Sequence, residues 1–238
     1  MTKSKSLVKR VLPALAQLLS KEGVVFLPVR NFNLLPEENI GRDIDMAILR
    51  SDTKKWERMI AGVASQLGLE VFWGRNYKYC RQIHLIDEDG SELEIDLLPR
   101  FFWRGIEWLD EKDVISSSVV HRGFVMKPLE KHEFLITFNH SYLHGGFYPD
   151  KYHNRLIQIY NQDPRAIVEL MEYVYGKKDS QVIVRMMLDH DQRGLNKINR
   201  QVRIRCLIRA LFRDGVGVLS GFLSSYAYDY YLKLSHKT

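Results

Sequence analysis

Asp43 and Asp45 stand one residue apart in NIGRDIDMAIL, residues 39–49, with Ile44 between them and an apolar run behind. In an extended chain alternate side chains leave on the same side. The two carboxylates therefore point one way and repel, unless solvent screens them or a cation sits between them. A second acidic stretch, SELEIDLLPR at 91–100, alternates in the same manner. Glu92, Glu94 and Asp96 share one face and Leu93, Ile95 and Leu97 the other. If the two stretches are neighbouring strands, Asp43, Asp45 and Asp96 converge. Three carboxylates suit two Mg²⁺ (or Mn²⁺) ions, which take hard oxygen ligands and keep several waters. Such ions activate an attacking oxygen and neutralise charge growing on a displaced pyrophosphate. The competing reading of a lone D-x-D pair is a solvated strand face. The Gly-containing loop before it, the apolar residues around it and the later hydrophobic-Asp-hydrophobic strand favour a site.

The elements that must hold these side chains are readable from spacing. Leu7, Val11, Leu12, Leu15, Leu18 and Leu19 recur at helical intervals over 7–21, and Gly23 ends that helix. VVFLPV (24–29) reads as a buried strand, RNFNLLPEENIGR as an Asn-rich loop and DIDMAIL as the next strand. Ser51 and Asp52 are positioned to cap a helix through KKWERMIAGVASQLG, closed by Gly68. LEVFW and YCRQIHLID read as strands, and Asp89-Gly90 is a hairpin turn leading into SELEIDLL. Beyond Pro99 the pattern turns helical: EKHEFLITFNHSYLHG, PRAIVELMEYVYG, SQVIVRMMLDHDQ and LNKINRQVRIRCLIRALFRDG. The expected fold class is α+β. A mixed sheet flanked by helices fills a first domain, 1–115, and a helical domain follows at 116–238.

The chain has 238 residues, enough for one large or two small cores, and a net charge of +6 that favours an anionic partner. Cys80 and Cys206, the two cysteines, lie far apart and fit a reduced cytosolic protein without disulfides or a cysteine zinc site. The start, MTKSKSLVKRVLPALAQLLSKEG, is interrupted by Gln17 and followed by Lys21 and Glu22. It reads as an amphipathic helix rather than a signal peptide. No apolar run is long enough for a membrane span. The expected location is cytoplasmic, with peripheral membrane contact as the alternative.

Gly41-x-Asp43-Ile44-Asp45, followed by Ile95-Asp96-Leu97, resembles the DNA polymerase beta-like nucleotidyltransferase superfamily. That pattern is Gly-x-Asp-hydrophobic-Asp on one strand and a third acid on a later one. More narrowly, FLPVRNFNLLPEENIGRDIDMAI with LEIDLLPRFFWRG is similar to bacterial nucleotidyltransferase-like proteins encoded among surface-polysaccharide genes. The resemblance covers residues 23–110 well and the helical remainder loosely. In some of those relatives a nucleotide kinase domain follows. This chain has no G-x-x-x-x-G-K-[ST] loop, so the stand-alone form is expected.

The resemblance implies a nucleoside triphosphate donor and an acceptor hydroxyl or phosphate, with a sugar or other polysaccharide precursor as one acceptor class. It implies that Asp43 and Asp45 bind the catalytic metals and that Asp96 is the third ligand or the base. Glu94 shares the face of Asp96 and is the alternative, although the neighbours of Asp96 fit the pattern better. The superfamily's small phosphate-holding turn, hydrophobic-Gly-Gly or Gly-Ser, is replaced here by Val29-Arg30-Asn31-Phe32. Either Arg30 and Asn31 grip the phosphates instead, or the change alters donor preference or costs activity. Gly41 and Arg42, at the turn into the pair, join the expected substrate contacts. The non-catalytic alternative is a nucleotide-binding or membrane-associated scaffold of the same fold.

Other features have two readings each. FFWRGIEWL (101–109) is a packed crossover, or an aromatic platform with Arg104 beside it for phosphate. His140 and His144, with His132 and His153 nearby, are spaced for zinc on a helix, but without H-E-x-x-H a packing or substrate role fits better. Lys151, Tyr152 and Arg155, beyond GGFYPD, are expected phosphate contacts by the resemblance. Arg200, Arg203, Arg205, Arg209 and Arg213 form a solvated helix face, or one that lies on an anionic membrane or on RNA. No RNA-recognition motif supports the last.

Overall fold

Lys3–Lys21 forms α1. Its buried residues Leu7, Val8, Val11, Leu12, Leu15 and Leu19 recur at the three-and-four spacing that lines one helix face. Pro13 faces solvent, where water can take the carbonyl that its missing N–H leaves unbonded. This computed structural model describes residues 3–37, 39, 43–77, 79–215 and 217–223. Among them, the chain divides into two compact units. The first holds residues up to Phe101 together with Leu109–Leu129, and the second holds Phe102–Trp108 and the residues from Glu130 onward.

In the first unit, β1 (Asp43–Ala47) leads into α2 (Thr53–Leu67). Gly68 ends α2 in the left-handed conformation at φ 68°, its N–H donating back to Ala64 and Ser65. At the start of α2 the expected cap differs. The Asp52 side chain makes no capping bond; the Ser51 hydroxyl donates to Asp52, and Thr53 Oγ1 donates to the Arg50 carbonyl. Strands β2 (Glu70–Asn76), β3 (Arg81–Ile86) and β4 (Glu92–Leu98) follow. The sheet order is β1-β4-β3-β2, with β1 parallel to β4 and the other pairs antiparallel. The β3–β4 connection is the expected tight turn: Asp87 N–H donates to Ser91 O, and Gly90, at φ 76°, donates to Asp87 O. One sheet face, with Ile44, Met46, Ile83, Leu85, Leu93, Ile95 and Leu97, packs with α1 and α2. The opposite face carries Asp43, Asp45, Gln82, His84, Glu92, Glu94 and Asp96, while Arg81, on the helix side, donates to Glu57 of α2 at 2.9 Å.

Residues 24–29 do not form the expected ladder strand. Phe26 makes a parallel bridge to Val125 and Pro28 an antiparallel bridge to Met46. A segment serving two partners in turn has no continuous ladder, and Pro28 has no N–H to extend one. Its neighbours still cover the outer edge of β1: Val29 N–H donates to Asp45 O, and Ala47 N–H donates to Leu27 O, both at 2.9 Å.

The chain continues through a short hairpin of β5 (Phe101–Trp103) and β6 (Ile106–Leu109), then α3 (Glu111–Ser116). A second hairpin, β7 (Val119–Arg122) and β8 (Val125–Lys127), closes the first unit. The second unit contains α4 (Glu130–Asn139), continued by a π-helical turn over His140–Gly145, then α5 (His153–Gln162) and α6 (Pro164–Tyr175). α7 (Lys177–Leu188) and α8 (Gln192–Asp214) follow, and residues 217–223 are helical too, so the C-terminal half is helical. The chain is thus α+β, as its residue pattern predicts. Among the described residues, no helix is long and apolar enough to cross a membrane.

Trp56, on α2, is fully buried in the core of the first unit. Trp56→Ala removes that ring and leaves a cavity the fixed sheet cannot fill. The expected loss is about 3–5 kcal/mol in denaturant unfolding, with the polar face of the sheet untouched.

Candidate metal centre

The parallel register of β1 and β4 sets Asp43 opposite Glu94 and Asp45 opposite Asp96. Because side chains alternate along both strands, all four carboxylates leave on the same face. Asp43, Asp45 and Asp96 each bring a carboxylate oxygen within 4.8 Å of the other two, the reach of one shared cation. Glu94 is drawn the other way. Gln82 Nε2 donates to Glu94 Oε1, and Glu94 groups with His84 and Glu92 in a second such cluster. The acids on the two elements that the residue pattern singled out are therefore brought together, with Asp96 beside the pair.

The electrostatics are those of an under-compensated cluster. Asp45 is 3% exposed. Burial raises its pKa most, Asp43 and Glu94 raise it further, and Arg30 opposes them. Burial likewise pushes Asp96 up to about 7, helped by the charges of Asp45, Glu94 and Asp43. Cys80 lies alongside; burial first, then these carboxylates, hold it as a protonated thiol that hydrogen-bonds Asp96. Asp96 Oδ1 is buried and meets no hydrogen-bond donor among the described residues. Hard oxygen donors at mutual reach, repelling one another, with one buried oxygen unpartnered, fit a divalent cation of the Mg²⁺ or Mn²⁺ type.

Arg30 is where residue pattern and geometry part. It was expected to face phosphate; here its guanidinium pairs with Asp45. Nε donates to Asp45 Oδ2 at 2.9 Å and an Nη donates to the same oxygen, with the side chains 9% and 3% exposed. The edge segment 27–29 delivers it there, since Val29 is hydrogen-bonded to Asp45 and Arg30 is the next residue. Asn31 follows in the left-handed conformation, φ 54°, and turns the chain into a short 3-10 helix at Phe32–Leu34. Asn39 Nδ2 donates to the Asp43 carbonyl at 3.2 Å. Gly41 and Arg42 lie outside the described residues.

Two neighbours of the site went unremarked in the sequence, Gln82 and His84. They pair across β3–β4 with Asp96 and Glu94 respectively, so they stand on the acidic face. The alternation in RQIHLI, read through the Asp89-Gly90 turn, was the signal that could have found them. Gly74 on β2 leaves them room: a Cβ there would lie 2.9 Å from both Gln82 Oε1 and His84 Nε2.

The remaining candidates belong to the second unit. Arg155 closes a two-bond fork on Glu133, at 2.8 and 2.6 Å. Lys151 lies 4.6 Å over the Tyr152 ring. Phe102, Trp103 and Trp108 are buried, which leaves no open aromatic platform around Arg104. His140 and His144 stack at 6.0 Å, and neither belongs to a three-ligand cluster among the described residues. On α8 the arginines are largely engaged within the unit: Arg205 and Arg209 bind Asp179, Arg213 covers Tyr173 and Arg203 covers Trp103. A scan of protein-family models, a search of curated proteins and a search of solved structures each found no match to this chain.

Proposed function

We propose that this protein is a metal-dependent nucleotidyltransferase. It would move a nucleoside monophosphate from a triphosphate to an acceptor hydroxyl or phosphate and release pyrophosphate. The observation that carries the reading is the Asp45–Asp96 register, which gathers three carboxylates around one cation-sized gap. The resemblance of Gly41-x-Asp43-Ile44-Asp45 and Ile95-Asp96-Leu97 to the superfamily pattern supports it. A sugar or other precursor of surface-polysaccharide assembly as acceptor rests on that resemblance alone.

Asp43, Asp45 and Asp96 would hold the divalent ions. When bound, such ions neutralise charge on the phosphates and lower the barrier to attack at the α-phosphorus. Arg30 opposes the rise in the Asp45 pKa and fixes one of its oxygens. In the transfer, the acceptor oxygen bonds to the α-phosphorus as the bond to pyrophosphate breaks. Asp96, the third ligand or the base, keeps one oxygen without a hydrogen-bond donor among the described residues, and that oxygen could take the acceptor's proton.

One observation favours a second reading. Arg30 already sets a positive charge against Asp45, where a second ion's charge would otherwise be needed. That suits a protein which binds a nucleotide without turning it over. Incubation with each nucleoside triphosphate, Mg²⁺ and candidate acceptors separates the two by pyrophosphate release. Release that requires both Mg²⁺ and the protein is the expected result. Metal-dependent triphosphate binding by calorimetry, with no release under any condition, selects the second reading.

A further inference from the structure

We propose that the outer face of α8 docks on an anionic lipid surface, its basic half meeting headgroup phosphates and its apolar half entering the acyl boundary. The helix seats itself in the second unit through Leu195, Asn199, Val202, Cys206 and Ala210, all buried, at the spacing of one helix face. A helix with a single partner should be polar on its opposite side. That holds for the first half, where Arg193, Lys197 and Arg200 are exposed. In the second half Ile204, Ile208, Leu211 and Phe212 face outward, and Phe212 is 89% exposed. At about 100° per residue these two sets fall in one arc of about 120°, opposite the buried residues. Of the five arginines from Arg200 to Arg213, Arg200 alone belongs to this arc. Arg203, Arg205, Arg209 and Arg213 turn instead to Trp103, Asp179 and Tyr173.

The charge of the face decides what covers it. Arg193, Lys197 and Arg200 make no ion pair among the described residues, and no acid stands between Gln192 and Arg213 in the sequence. A second copy pairing through the same face would bring only more cations against these three. Nucleic acid would satisfy the cations but leave Phe212 and its apolar neighbours in water. An anionic bilayer supplies both partners along one stripe, phosphate-bearing headgroups for the basic half and hydrocarbon for the apolar half. The face lies apart from the acidic strands of the first unit in sequence and in chemistry, so docking requires neither nucleotide nor divalent cation.

Flotation of the full chain with lipid vesicles, in the presence of a chelator, tests the face. Wild-type protein should float with an equal mixture of phosphatidylcholine and phosphatidylglycerol, remain behind with phosphatidylcholine alone, and be released by high salt. Lys197→Gln combined with Arg200→Gln should weaken binding at least about tenfold. Phe212→Ser should also weaken it at least about tenfold, although it changes no charge. Lys54→Gln, at an exposed lysine of the first unit, should leave binding unchanged. The substituted side chains are all exposed, so each variant should melt with the wild type. No flotation with the anionic vesicles, equal flotation with the neutral ones, or undiminished binding by Phe212→Ser or by the double variant would overturn the proposal. A wild-type dimer that Phe212→Ser converts to monomer in sedimentation, without vesicle binding, would assign the face to a second copy and overturn it too.

Discussion

Asp43→Asn should lower Mg²⁺-dependent transfer at least about a thousandfold without lowering thermal stability. Asp43 is half-buried, belongs to the three-acid group and makes no side-chain ion pair among the described residues. Removing its charge takes a ligand from the cations and also removes one source of repulsion on Asp45 and Asp96. The adjacent variant behaves differently. Asp45→Asn deletes a ligand and leaves the Arg30 guanidinium almost buried beside a neutral amide. A buried charge stripped of its partner costs about 3–5 kcal/mol. Asp45→Asn should therefore lose transfer and stability together, and Arg30→Met in the same chain should recover part of the stability but none of the transfer. Turnover assays paired with thermal melts on the four proteins read both quantities. Wild-type turnover by Asp43→Asn would remove this face from the mechanism.

Asp96→Asn should stabilise the metal-free protein at alkaline pH. The folded chain holds the Asp96 proton up to about pH 7, whereas the unfolded chain releases it near the ordinary 3.8. Between those values the folded state binds the extra proton, so stability falls as pH rises from about 4 to about 7 and then levels. Asp96→Asn removes that loss. The gain should be on the order of 2–4 kcal/mol at pH 8, discounted for the partial exposure of the group, and should vanish near pH 4. A divalent cation offsets the same repulsion. Mn²⁺ should therefore raise the melting temperature of the wild type more at pH 8 than at pH 5, and raise that of Asp96→Asn little at either. Equal melting temperatures for the two metal-free proteins across this range would contradict the electrostatic description of the cluster.

Local signals carried much of the fold. The alternation of β4, the Asp89-Gly90 turn and Gly68 at the end of α2 depend on a few neighbouring residues, and each is found where the pattern puts it. What was not legible is long-range. Nothing in DIDMAIL or SELEIDLL says that the two strands lie parallel with Asp45 against Asp96, since register is set by packing of the whole apolar face. The 24–29 segment looked like a ladder strand because it is apolar, yet it divides its hydrogen bonds between β1 and β8. That division is also what carries Arg30 to Asp45, so the same misreading hid the ion pair. The β5–β6 turn was missed for a chemical reason: Arg104 stands where Asn would have announced it. Helix α5 follows a 3-10 turn over Asp150–Tyr152, and its short amphipathic run was read as isolated charged contacts.

Binding of Mn²⁺, followed by electron paramagnetic resonance, probes the acidic face most directly. The wild type at pH 8 should take up the ion, Asp43→Asn and Asp96→Asn should lose it, and Glu92→Gln, in the second cluster, should keep it. Uptake that is absent from the wild type, or that survives the loss of both Asp43 and Asp96, would mean that these carboxylates do not share a cation.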